Sequence, residues 1–276
     1  MSFDRSRTAY AESAADLARS ALDALRGVGG VAMVAAHVEG ADDGAAALAA
    51  VRVVGADTFA PHLFVGAALH PRDAAAVAKS FTVFPPPEGP PQPPPTGLAE
   101  PWVMAWRDWA TASMLARFTA VGEVDPLHAP QPPGAPLLAE HAGLGVGPGT
   151  ARPAVAEEPA AAGSSSATAP GLGWAEWSVR MGQLSSLALP GLDGPVHAAA
   201  RRAPLALARG ATRSLLRRDY PTAARIARWL ALLQHEGVSL PLDPVPLVVH
   251  LRVLGCGPRI ALDTAISGTL LGLEPV

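Results

Sequence analysis

Apolar residues return every three or four positions over residues 11–26, at Ala14, Leu17, Ala18, Ala21, Leu22 and Leu25. That stripe predicts an amphipathic helix closed by Gly27. Residues 31–38 lose the period and become a compact apolar run ending at His37, Val38 and Glu39, which predicts a buried strand. An alanine-rich helix is predicted over 43–52. A second strand is predicted over 62–68, closing on Leu69-His70-Pro71-Arg72-Asp73. Trp102, Trp106 and Trp109 then recur at helical spacing, with Leu115 and Phe118 beyond them, as on a helix packed against a sheet. It leads into a short apolar run, 119–121, that stops at Gly122-Glu123, with Asp125 and Pro126 just behind. A strand ending there sets the Glu123 carboxylate at the C-terminal rim, where ligands gather in parallel α/β folds.

The second half begins with helical patterns over 174–189 and 203–218, separated by a turn at 191–194 and the short segment Pro195-Val196-His197. Thr222 reads as the cap of a helix carrying Ala223, Ile226, Ala227, Leu230 and Leu233 on one side and ending at Gly237. Residues 247–251 read as an edge or starting strand, because Pro246 removes a ladder donor. Residues 259–263 form a last short apolar run ending in an acid, Asp263. The alternation predicts a parallel α/β domain spanning 1–276.

Two stretches interrupt it. Residues 85–97 read P-P-P-E-G-P-P-Q-P-P-P-T-G, a polyproline-type insertion that is either a spacer or a docking element for a proline-recognising module. Residues 128–173, rich in Pro, Gly and Ala with serines at 164–166, are expected to form a disordered or loosely packed loop. Within them G-L-G-V-G-P-G-T (143–150) is a poor phosphate loop: no lysine follows, no strand leads in, and Pro148 lacks a donor.

Composition narrows the function classes. The chain has 276 residues, 16% of them charged, and a net charge of −3, so it offers no general field for nucleic acid or an anionic membrane. The 29 prolines and 27 glycines are in excess and cluster, so the surplus is assigned to loops and linkers. Among the basic residues only Lys79 is a lysine, which reads as coding bias, not as arginine-dependent chemistry. Cys256 stands alone, which excludes an intrachain disulfide and a cysteine-rich zinc site and suggests a small buried residue. With no apolar run of membrane-spanning length and no signal pattern over 1–30, a cytoplasmic location is expected.

Several segments, read together, resemble the TatD-like metal-dependent hydrolases of the amidohydrolase-type barrels. M-S-F-D-R-S-R-T is similar to that family's first strand, F-V-G-A-A-L-H-P-R-D-A to its G-x-H-P segment, and T-A-V-G-E-V-D-P-L to its G-E-x-G-L-D segment. S-V-R-M-G-Q-L-S-S-L-A-L-P-G-L-D-G-P-V-H and R-I-A-L-D-T-A are similar to its later histidine and aspartate segments. The resemblance implies a divergent or incomplete (β/α) barrel and hydrolysis of a phosphoester or related bond by metal-activated water. It implies a divalent metal held by Glu123, His197 and His250, with Asp263 as the catalytic residue completing the site, and a small-molecule substrate or a protein partner. Departures are plain: the first-strand histidine positions hold Ser6 and Thr8, and the later ligand positions fall on Ala199 and Ala265.

Each candidate also has a plainer reading. Glu123 reads as a rim acid, His70 as a loop anchor, His197 as a turn residue, His250 as a core histidine, and Asp263 as a cap. No serine stands in a nucleophile-elbow context. Two other functions therefore stay open: a non-catalytic barrel relative that binds a small molecule or partner, and a mainly helical interaction or scaffold protein.

Overall fold

Pairs such as Asp243-Pro244 and His70-Pro71 govern the local structure. A proline costs nothing at the first turn of a helix, where its missing N–H has no partner anyway, and a preceding Asp or His accepts from the free amides behind it. Asp243 Oδ1 accepts from Val245 N at 2.9 Å, and His70 Nδ1 accepts from Arg72 N at 3.2 Å. Seven helices carry proline at their first or second position. Seven of the 29 prolines thus start described helices, a use the sequence reading did not assign, while the stretches 85–97 and 128–173 hold sixteen.

The computed structural model describes residues 2–30, 32–119, 132–138 and 171–273, with side chains from Thr8 onward. Its helices are α1 (Ser2–Leu25), α2 (Met33–Glu39), α3 (Gly44–Val54), α4 (Ala60–Phe64), α5 (Pro71–Val83), α6 (Ala99–Thr119), α7 (Trp174–Gln183), α8 (Pro195–Arg202), α9 (Pro204–Leu216), α10 (Tyr220–His235), α11 (Pro244–Leu254) and α12 (Pro258–Leu270). Short 3-10 turns lie at Gly55–Phe59 and Ser185–Leu187. The described residues contain no sheet, only one isolated parallel bridge between Leu138 and Leu172.

The expected α/β class and (β/α) barrel are thus wrong, and the TatD-like resemblance loses its fold. Of the run at 31–38, Met33 onward is α2 while Val31 lies outside the described residues, and 62–68 is the end of α4 followed by a loop. The run at 247–251 is the middle of α11, and 259–263 is the first half of α12. Thr119 closes α6, while Gly122 and Glu123 lie outside the described residues, as does the 143–150 segment. The physical reason is that an apolar run of five to eight residues has no readable period. It arises where a helix is buried on several sides, as over 260–264, and equally where exposed positions are apolar, as over 65–68 and on the outer side of α11. Enclosure on most sides makes apolar residues necessary at nearly every position.

Helix α10 is the extreme case. Apart from Arg225, every residue from Ala223 to Leu233 is buried, and α7, α8, α9, α11 and α12 pack around it. Gly210 lets α9 come close to α7: a Cβ there would sit 2.3 Å from Ser178 Cβ. The first half packs α1 on α2, α3 and α4, with α5 and α6 against α3. Asp73 on α5 reaches across to cap α2, accepting from Ala35 N at 2.7 Å. The halves meet where α1 packs on α12, and where α6 and the Gly55–Phe59 turn touch Ser185–Leu187.

The tryptophan stripe lies on helix α6 as expected, though its neighbours are helices and loop. Trp102 Nε1 and Trp106 Nε1 donate to the Gly134 carbonyl at 2.8 and 3.3 Å, and Trp177 Nε1 donates to Pro136 O at 3.2 Å. Three indoles thus pin residues 132–138. No helix among the described residues is long and apolar enough to cross a membrane.

Candidate functional site

Four charged side chains meet where the two halves of the chain join. Asp57 comes from the Gly55–Phe59 turn, Arg228 from the middle of α10, and Arg259 and Asp263 from successive turns of α12. Helical spacing puts Arg259 and Asp263 on one face, four residues apart. Arg228 grips Asp57 with both terminal nitrogens, Nη2–Oδ1 at 2.7 Å and Nη1–Oδ2 at 3.0 Å. Its Nη1 also donates to Asp263 Oδ1 at 2.9 Å. Arg259 completes the ring, with Nη2 at 2.6 Å from Asp57 Oδ2 and Nε at 3.2 Å from Asp263 Oδ2.

Arg228 and Asp57 are fully buried and Asp263 nearly so, whereas the Arg259 side chain is 26% exposed. Burial alone would raise the Asp57 carboxyl, but Arg228 and Arg259 outweigh it and hold it below the usual carboxylate range. Burial likewise opposes charge on Arg228, and Asp57 and Asp263 reverse that. The network is ionised because each carboxylate is shared by two guanidiniums.

Two further arginines stand beside it without a carboxylate of their own. Arg107 on α6 donates to the Gln183 carbonyl at 3.2 Å. Burial, then Arg259 and Arg225, push its guanidinium down to about 10. Arg225, one turn before Arg228 on α10, forms no hydrogen bond or ion pair among the described residues, and burial and Arg259 lower it too. Four guanidiniums therefore crowd two buried carboxylates. An open cleft of about 250 Å³ reaches this cluster, lined by Arg225, Arg259, Asp263, Pro221, Cys256 and Gly257 among others.

Of the expected site residues, His197, His250 and Asp263 are described, and the structure sets them in three different surroundings. Asp263 lines that cleft, but its oxygens are engaged by Arg228 and Arg259, which leaves no free base. His197 is buried on α8, where Nε2 donates to Leu187 O at 2.9 Å and the ring stands edge-on to Trp229. Burial lowers its pKa, and its Nδ1 has no partner. His250 is exposed on α11. Glu123 lies outside the described residues. Among those residues no group of three or more His, Cys, Asp or Glu side chains is placed to hold a metal. Where two carboxylates do come together, the surrounding arginines repel a cation. Among the described residues, the implied donors His197, His250 and Asp263 are not gathered to hold a divalent metal.

Cys256, expected to be buried, is exposed. The arginines of α10 and α12 were the residues missed, having been attributed to coding bias. A signal existed: Arg228 is embedded in I-A-R-W-L-A-L-L, and an arginine within so apolar a run is buried and so requires an acid.

No protein-family model, curated protein or solved structure matches the chain.

Proposed function

We propose that the chain is a helical interaction protein that docks a partner instead of converting a substrate, and that the occupant of its docking face is a second copy of itself. The mainly helical fold fits this reading. The observation that carries it is the outer ridge of α11. Leu247, Val248 and Leu251 turn inward, while Pro246, Val249, His250 and Val253 are exposed, Val253 at 79%. With i, i+3/i+4, i+7 spacing these four form one stripe on the helix.

A second copy is favoured by the symmetry of that stripe. It has an apolar residue at each end and Val249 with His250 in the middle, so an antiparallel copy sets Val253 over Pro246 and the central pairs over each other. This is the self-matching pattern that a two-fold interface needs. The stripe holds no Lys, Arg, Asp or Glu, so pairing sets none of these charges against its like. One short helix face is a small interface, and a contact of that size is transient.

Sedimentation equilibrium from micromolar to sub-millimolar concentration tests this. The weight-average mass of the native chain rises with concentration, and the double variant Val249→Asp/Val253→Asp stays monomeric with unchanged circular dichroism. A native chain that is monomeric throughout, or a double variant that associates equally well, overturns the proposal.

A further inference from the structure

The cleft at the mouth of the buried charge network differs in kind from the α11 ridge. Its floor is made of Arg225 and Arg259, with Arg107 adding positive charge from behind. Asp57 and Asp263 are both taken up by Arg228 and Arg259, and Asp219, which also acts on Arg225, is occupied in capping α10 through Thr222 N at 3.2 Å. Arg225 is left half-buried with no partner of its own.

A guanidinium removed from much of its water and crowded by others of the same sign is held at a cost, which an incoming anion relieves. The wall beside Arg225 is the start of α12. Its N-cap is Gly257, which offers no side chain to the first amides, and Pro258 follows at the first position. The Arg259 and Ile260 amides at that end add the positive pole of a thirteen-residue helix to the same mouth. Gly257 has φ of +100°, a conformation that L side chains rarely adopt, and a Cβ there would meet nothing within 4 Å. The approach to the helix end is therefore open. Ala15, Pro221 and Ile260 give the cleft apolar sides.

We propose that this cleft binds a small phosphate-bearing molecule. Arg225 and Arg259 would clamp the phosphate oxygens, the α12 amides would complete the cradle, and the organic part would lie against Ala15, Pro221 and Ile260. Arg225 and Arg107 are the guanidiniums in excess of the buried carboxylates. Arg107, outside the cleft, adds only field, while the forked donors of Arg225 and the remaining Nη1 of Arg259 match phosphate oxygens. At about 250 Å³ the space suits a phosphate with a small substituent and is too small for an extended ligand. The site binds and holds; no bond in the ligand is made or broken.

The protein supplies its own reporter. Cys256 is the only cysteine, is exposed, and lines the same cleft. Its alkylation by anionic iodoacetate and by neutral iodoacetamide can be followed on the intact chain by mass. The iodoacetate-to-iodoacetamide rate ratio should exceed that of a short cysteine peptide about threefold or more, because the cleft concentrates anions. Millimolar inorganic phosphate should slow the iodoacetate reaction several-fold, while chloride of equal ionic strength should not. Arg225→Gln, which breaks no bond in the fold, should return the ratio to the peptide value, and Arg225→Lys should keep part of it. The proposal is overturned by a native ratio equal to the peptide's, by chloride as effective as phosphate, or by an Arg225→Gln protein that behaves as the native one.

Discussion

Two buried ion clusters hold this protein, and only one of them opens to solvent. In the first half, Arg52 on α3 faces Asp108 on α6, with Nε–Oδ1 at 2.7 Å and Nη2–Oδ2 at 2.5 Å. Its remaining donor reaches the Ser80 and Phe84 carbonyls at the end of α5, where the helix dipole favours a cation. One arginine meets one acid, and both side chains are nearly inaccessible. At the junction of the halves, Arg228 and Arg259 share Asp57 and Asp263, and Arg225 and Arg107 add charge that no carboxylate answers. A matched, closed pair can only be structural. A mismatched cluster with a cleft over it has binding capacity to spare.

The comparison can be broken most directly at its two central arginines. Arg228→Met leaves two buried acids to a single guanidinium, that of Arg259, and should cost about 3–5 kcal/mol in urea unfolding. Arg52→Met should cost less, about 1–3 kcal/mol, because burial already raises the Asp108 carboxyl and it can go neutral. Equal losses would mean that the two clusters are the same kind of object.

Acid titration of stability should separate them in sign. Asp57 has a native pKa below its unfolded value, so its contribution is present above the ordinary carboxylate range and is lost as pH falls through the native value. Asp108 has a native pKa above its unfolded value, so its contribution is greatest in acid and declines as pH rises through that value. Urea midpoints between pH 3 and 6, an interval set by the ordinary carboxylate values near about 4, should therefore respond oppositely. Asp57→Asn should flatten the loss of stability in acid, and Asp108→Asn should steepen it. The same direction in both would remove the distinction.

The smallest expected effect is the sharpest. Arg225→Gln touches the surplus and not the knot, so unfolding free energy should stay within about 0.5 kcal/mol of the native chain. A large loss would show that Arg225 belongs to the framework and not to a site.

Helices whose apolar residues fall on one stripe were legible. The 11–26 pattern falls on α1, which runs from Ser2 to Leu25 and so starts earlier than the stripe and ends one residue before its predicted close. The Thr222 pattern is α10, although Asp219, and not Thr222, provides the cap. Helices α11 and α12 were not legible by period. L-V-V-H-L keeps three aliphatic residues in a row because α11 has a buried side and an exposed apolar ridge, which erases the alternation of faces. The stronger signal there was chemical: Asp243 before Pro244 marks a helix start, and a central strand would not tolerate the two prolines that follow. At the site, Asp263 reads from the sequence as a catalytic residue or a cap, and nothing near it in the chain announces that its partners are the arginines Arg228 and Arg259.

The sequence alone determines where many of these helices begin, through proline and its capping neighbours, and that α10 must be enclosed, because few of its positions tolerate water. Both are local facts, readable within a turn or two of helix. Which acid would answer Arg228 was decided only by the tertiary structure. Asp57 lies 171 positions away, and the energy that selects it over other carboxylates comes from the removal of water around both groups at once, a quantity that no stretch of chain possesses until the two halves have closed on each other.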